Sequence, residues 1–387
     1  MVGPGTDIHA LRPLRWLLER GCQVTFCDAT NPFPSGQAGY TYKPFPEPRG
    51  CRWLHRPGGR RLASLYAAIT VPPKLKRLWR DVQPDITHVH WVDAHSFHCA
   101  RAGIRPLVLS VWGSDINRLL DPDAGSLLKY QVGYALRAAD RVLIDSADMH
   151  DKCARIAKQP VATELFNLGV DTTRFRPGYQ TEAAEWRHTL GVTPETTVFL
   201  SMRGWSPLYR HATILEAFAA ALPRFRSPAV LVFKVLQRSS ADRAAYEKQM
   251  RELAAELGVS GHLRWMGEVP MSRLPEIYAM ADAIVNYPSM DAFPVTFLEA
   301  AASERPVISG RLPAYDGTFA ERYFNLVSSD DVTALADAMV DFASPSRRTS
   351  PAKLAELRRL IIDQFDERLV ADRLLRLYQT LETKCLR

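Results

Sequence analysis

Long hydrophobic runs are missing from this chain. The longest apolar stretch, Leu62 to Val71, already contains Ser64 and Thr70 and stops at Pro72, far short of the ~20 residues a spanning helix needs. No membrane-spanning helix is expected. The N-terminus, Met1-Val2-Gly3-Pro4-Gly5, has neither the charged region nor the apolar core of a signal peptide, so a cytoplasmic location is expected. Paired cysteines are missing too. The six, at 22, 27, 51, 99, 153 and 385, show none of the spacings that metal sites use, and a chain of 387 residues needs no disulfide staples. They read as reduced packing residues. No Walker lysine and no G-x-G-x-x-G follows the opening glycines, so the usual nucleotide loops are absent.

Acidic residues are absent from one long segment. Between Pro48 and Arg80 there are nine basic residues (Arg49, Arg52, Arg56, Arg60, Arg61, Lys74, Lys76, Arg77, Arg80) and no carboxylate, a larger excess than the whole chain's net charge of +7. Trp53, Leu54, Leu62, Leu65, Tyr66 and Trp79 interleave with them. Such a surface suits peripheral contact with an anionic membrane or an acidic acceptor; a solvated loop and helix is the plainer reading. No nucleic-acid module is present, and no nucleic-acid partner is expected.

What the chain does have is alternation. Short β-branched runs alternate with helical patterns, which marks an α/β chain of stacked βα units around parallel sheets. Strands are expected at Gln23–Asp28, Asp85–Val92, Pro106–Trp112, Arg141–Ile144 and Thr163–Leu168, then at Thr196–Met202, Ala229–Leu236, Leu263–Met266, Ala283–Tyr287 and Pro306–Ser309. The halves are similar in kind and are joined by a polar connector, Asp171 to about Thr193, of loop character. The expected fold is two facing doubly wound, Rossmann-like domains, residues 1–175 and 176–366, with a ligand cleft between them at the carboxyl ends of the strands. Only Met1-Val2 precede the glycine loop. Either the natural reading frame starts upstream or the first sheet begins with a stub. Pro13 is best tolerated in a first helical turn, which puts a helix at Arg12–Arg20 and leaves Gly3–Leu11 as a long turn.

Two segments carry chemistry. In Asp291-Ala-Phe-Pro-Val-Thr-Phe-Leu-Glu299 a helix opens at Pro294, leaving the N–H groups of Val295 and Thr296 free for an anion. Glu299 lies further in, on a side packed with alanines, where a carboxylate needs a hydroxyl or cationic partner. The second segment runs from Ser201 to His211 and carries Arg203 and Arg210 into a helix start. A cation there opposes the helix dipole by ~0.3 to 1 kcal/mol, a conflict that a bound diphosphate removes. For each segment a purely structural role is the competing reading. Asp121-Pro-Asp123 matches a metal-holding D-x-D pattern, but it sits in a proline turn and no metal is expected.

These residues, together with Phe166-Asn-Leu-Gly-Val-Asp171, Phe175-Arg-Pro177, Gly267-Glu-Val269, Pro306-Val-Ile and Val111-Trp-Gly-Ser-Asp115, resemble retaining family 4 glycosyltransferases of the GT-B fold over nearly the whole chain. The resemblance implies a metal-independent retaining transfer of a sugar from a nucleotide diphosphate, UDP foremost, to a hydroxyl acceptor, with no cofactor. It implies that Asp291 meets sugar hydroxyls, Glu299 the ribose, and Arg203 with Arg210 the diphosphate. Phe293, Pro294, Val295, Thr296 and Val269 then line the nucleotide side, and Gly5 approaches the donor. It further implies acceptor-side roles for His9, His95, Trp112 and Asp115, and a last helix, about 367–387, that crosses back to the first domain. The chain departs from the family in three places: Asp291 stands for glutamate, Arg210 for lysine, and Trp112 for a histidine near the anomeric carbon. Lys234-Val-Leu-Gln237 also replaces a glycine-rich turn. The alternatives are a non-catalytic nucleotide-sugar or polyanion binding protein and a nucleotide-sugar epimerase.

Overall fold

The computed structural model describes residues 1–3, 8–28, 39–46, 60–234 and 241–385. The chain divides into two compact units: Met1–Leu168 with Arg368–Arg387, and Gly169–Glu367. Gly5 and much of the basic segment, including Arg49, Arg52 and Arg56, lie outside the described residues. Among the described residues no helix is long and apolar enough to cross a membrane.

In the first unit the strands are β1 (Val24–Asp28), β2 (Tyr40–Pro44), β3 (Thr87–His90), β4 (Leu107–Ser110), β5 (Arg141–Ile144) and β6 (Thr163–Leu165). Pairing is parallel in the orders β1-β2 and β3-β4-β5-β6. Val2 bridges both groups, paired in parallel with Cys27 on one side and Val89 on the other. Val2 is therefore a one-residue bridge between β1 and β3.

The second unit contains β7 (Thr197–Ser201), β8 (Ala229–Lys234), β9 (Leu263–Met266), β10 (Ala283–Asn286), β11 (Val307–Gly310) and β12 (Asn325–Val327). All pair in parallel in the order β12-β11-β10-β7-β8-β9. This is a doubly wound order that reverses direction between β7 and β10. Both faces are covered, as parallel sheets require. Val198, Leu200, Val230 and Val232 join one core with Phe297, Leu298 and Ile277. The alternate residues Phe199, Leu231 and Phe233 join another with Ile214, Leu215, Phe218 and Met339.

Three local expectations need correction. The first helix spans Ile8–Glu19 with Pro13 inside it, four residues earlier than Arg12. Burial of Ala10, Leu14 and Leu17 against Val24 and Phe26 outweighs the bond that proline forfeits. The connector is not all loop, because Gln180–Thr189 is helical. Tertiary contacts hold it there: Trp186 donates Nε1–H to Glu276 at 2.8 Å, and Arg187 pairs with Asp282 at 2.8 Å. The helix expected to open at Pro294 spans Val295–Ala302, with Pro294 as its extended N-cap.

The last helix, Glu367–Cys385, packs in the first unit. Arg20 pairs with Asp372 at 2.8 Å, and Tyr378 Oη lies 2.5 Å from His88 Nδ1.

Candidate active site

In the second unit the loops leaving β7 and β10 flank the point where strand order reverses, the usual ligand position of such sheets. The β7 loop folds by its own chemistry. Ser206 caps the short turn Pro207–Tyr209, its Oγ accepting the Leu208 N–H at 3.3 Å. His211 Nε2 bonds the Arg203 carbonyl at 3.3 Å and closes the loop onto the helix His211–Ala221. Its two arginines point to two carboxylates.

Arg203 reaches across to the β10 loop, where its Nη2 lies 3.1 Å from Asp291 Oδ2, and its guanidinium sits 4.1 Å over the Tyr209 ring. Burial acts to lower the guanidinium pKa, but the Asp291 carboxylate together with Tyr209 and Tyr315 outweighs it and the net shift is upward. Arg203 is therefore a permanent cation. Arg210 takes the left-handed backbone at φ 46° directly before the helix, and its Nη2 lies 2.6 Å from Asp330. Its Nη1 is buried with no partner among the described residues. A strained backbone, a cation at a helix N-terminus and an orphaned donor thus coincide at one residue.

The helix Val295–Ala302 makes its first backbone bond from Phe297 N–H to Pro294, so Val295 and Thr296 open it with free N–H positions. Thr296 Oγ1 is buried without a partner among the described residues. Glu299 is 6% exposed and accepts the Tyr278 hydroxyl at 2.7 Å. Lys234 ends β8 at 4% exposure. Burial lowers its pKa, against the pull of the Glu299 and Glu268 carboxylates. Phe293 packs among Phe297, Tyr315 and Phe319, and Val269 is buried in the same core. Their side chains are thus structural, and only their backbones are left to meet a ligand.

The first unit places its candidates after β3, after β4 and on the first helix. His9 packs against Trp112 with ring centroids 4.7 Å apart, and Trp112 stacks on His90 at 6.1 Å. His95 Nδ1 lies 2.9 Å from Asp93, the N-cap of its helix. Asp115 is fully buried and accepts the N–H groups of Val92 at 3.0 Å and Trp112 at 3.1 Å. Burial pushes its carboxyl up to about 6, against those bonds. Asp115, expected on the acceptor side, ties two loops together through these bonds and holds the Trp112 backbone. The Asp121 carboxylate accepts the Asp123 N–H at 2.9 Å, closing its own turn. Among the described residues no group of three or more side chains is placed to hold a metal.

Tyr278, Asp330 and Tyr209, which contact Glu299, Arg210 and Arg203, are side chains that sequence reasoning missed. Tyr278 looks like one more core residue of an apolar helix, and Asp330 lies over a hundred residues from the arginine it holds.

Comparison with known families decides the matter. A model described as "Glycosyl transferase 4-like" matches residues 6–146, and one described as "Glycosyl transferases group 1" matches residues 182–356. This chain belongs to the GT4-type glycosyltransferases of the GT-B fold. Among GT4-type relatives, D-inositol 3-phosphate glycosyltransferase 2 of Catenulispora acidiphila is 28% identical over 214 residues, 54% of this chain and 49% of that one. The D-inositol 3-phosphate glycosyltransferase of Geodermatophilus obscurus is 32% identical over 175 residues, 44% of this chain and 38% of that one. The chain spans about half the length of the curated relatives it matches, or less. Two solved structures share the GT-B fold over nearly all of it. Anabaena HepE in complex with UDP has TM-score 0.74 at 14% identity, covering 98% of this chain and 99% of that one. Sucrose-phosphate synthase of Thermosynechococcus elongatus has TM-score 0.75 at 16% identity, covering 97% and 93%.

Proposed function

We propose that this glycosyltransferase moves a sugar, with retention, from a UDP sugar to a hydroxyl acceptor without a metal ion. The observation that carries the reading is Arg210: an unpartnered buried Nη1 at a helix start, in a loop that already holds the permanent cation Arg203. These groups fit the two phosphates of a nucleoside diphosphate and supply the charge a metal would otherwise bring. As the glycosidic bond breaks, negative charge grows on the diphosphate, and preorganised cations stabilise that state more than the bound donor. Asp291 then meets the sugar hydroxyls, Glu299 the ribose hydroxyls, and the N–H groups of Val295 and Thr296 a phosphate oxygen. The UDP of HepE supports the donor class.

The first unit takes the acceptor in this reading, with His9, His95 and Trp112 as its contacts. The names of the curated relatives support a phosphorylated polyol. A cytoplasmic protein with peripheral membrane contact completes the proposal. On the helix Arg60–Val82, Leu62, Leu65, Tyr66 and Ile69 form an exposed apolar stripe at helical spacing, followed by exposed Lys74, Lys76, Arg77 and Arg80.

The deciding experiment incubates the protein with UDP-glucose and inositol phosphate in chelator and reads the anomeric configuration of the product by NMR. An α-linked product supports the reading. Donor left intact, with or without acceptor, favours the binding-protein alternative.

A further inference from the structure

The second unit has a cavity of about 810 Å³ that the transfer reaction leaves unused. It lies beside the helix Gln180–Thr189, between the loop that leads into β7 and the turn that leads into β11. That is the amino edge of the sheet, the opposite end of the strands from Arg203 and Asp291. Its volume suits a small molecule.

Ala183, Ala184, Val192 and Pro194 give it small apolar walls. The charged residues lining it are Arg176, Arg187, Arg305 and His188, and no carboxylate lines it among the described residues. Arg187 is committed to the fold, bonded to the Met280 and Thr196 carbonyls and paired with Asp282. Arg305 is only partly committed. Its Nε donates to the Ser303 carbonyl and its Nη1 to the Ala281 carbonyl, each at 3.1 Å, while its Nη2 makes no hydrogen bond to a described residue. Burial lowers the Arg305 pKa in spite of Asp282 and Glu304 nearby, so the cation lacks full compensation for lost water. Ser303 lines the same cavity at 1% exposure, and its hydroxyl has no partner among the described residues.

An under-compensated guanidinium, an orphaned buried hydroxyl and apolar walls share one ligand chemistry. We propose that this cavity binds a small organic anion, a carboxylate carried on a compact apolar body. The guanidinium and the Ser303 hydroxyl donate to the carboxylate while the body packs on the alanines. Such a ligand would bind apart from the donor and give the protein an effector site.

Calorimetric titration of the full chain tests this, with naphthalene-1-acetate as probe and its neutral amide as control. The acid is expected to bind saturably at one site and at least about tenfold more tightly than the amide, the worth of one charge-assisted bond. Arg305→Gln should weaken the acid about tenfold. Ala184→Trp fills the cavity from an exposed helix position, leaves the Arg305 bonds untouched and should abolish binding. UDP titrated into the same variants should bind as in wild type, which separates failure of this site from failure of the donor reading. Equal binding of acid and amide, or wild-type affinity in Ala184→Trp, overturns the proposal.

Discussion

Arg203 and Asp291 meet at 3.1 Å across the seam where the second sheet reverses its strand order, each side chain about nine-tenths shielded from solvent. The Asp291 carboxylate is the largest single compensation Arg203 has for its burial. Asp291→Ala should leave a buried cation unpaired and destabilise the second unit by about 3 to 5 kcal/mol, whereas the double variant Asp291→Leu with Arg203→Leu should recover most of that loss. Urea unfolding of the three proteins checks it. Equal stability of single and double variants would show that the pair does not hold the seam.

Arg210 should behave as a group of the transition state. Arg210→Ala is expected to lower kcat by a factor of about 100 to 1,000, the usual effect of removing one preorganised donor, and to raise KM much less. Arg210→Lys should recover much of the rate. A structural arginine would instead lower the melting temperature and leave the rate per folded molecule within a few fold.

Glu299 and Tyr278 act in series. Glu299→Gln keeps the size but loses charge-assisted acceptance, at about 1.5 to 3 kcal/mol of nucleotide affinity. Tyr278→Phe leaves the charge and frees the carboxylate to turn, so its loss should be smaller. Calorimetry with UDP orders them. Unchanged affinity in Glu299→Gln assigns the carboxylate to the fold alone.

Acid should loosen the first unit through His88. Burial lowers its pKa to about 3, while its ring nitrogens engage Tyr378 and Ser110. The unfolded chain therefore takes up this proton near the ordinary value of about 6.5, before the folded one does. Stability is full above that pH and falls by up to about 1.4 kcal/mol per unit as the pH drops toward the folded value. His98, lowered to about 4 by burial, adds in the same direction. Asp115, raised to about 6, opposes them: its carboxyl takes up a proton more readily folded than unfolded, so it adds stability as the pH falls below about 6. Melting curves from pH 7.5 to 5 should show the loss, and His88→Gln should flatten it. A wild-type slope in that variant would remove His88 from the account.

Membrane contact should respond to both parts of the helix Arg60–Val82. Binding to vesicles rich in phosphatidylglycerol is expected to weaken with added salt, since screening acts on exposed charge. Leu65→Glu with Ile69→Glu should abolish it. Binding indifferent to salt and to both substitutions would make this a solvated face.

Much of the fold was legible because parallel strands are buried on both faces and announce themselves as short apolar runs. Arg203, Arg210 and Asp291 stood out as charged residues in loops between strand ends and helix starts, and Glu299 as a carboxylate on the alanine-packed side of a helix, where isolated charge is locally unfavourable. Their partners did not. Nothing local to Asp330 or Tyr278 distinguishes them from surface or core residues of their type, and nothing around Gln180–Thr189 marks a helix as clearly as its tertiary bonds make it one.

By itself the sequence determined the α/β class, the alternation of strands and helices and the positions of the charged loops, because these depend on periodicity and on neighbours within a few residues. Tertiary structure alone decided which charges pair, that Val2 is inserted between β1 and β3, and that Asp115 holds two loops together. Those outcomes depend on burial and on contacts between residues far apart in the chain, and a carboxylate's role is set by whichever donors the fold brings within about 3 Å of it.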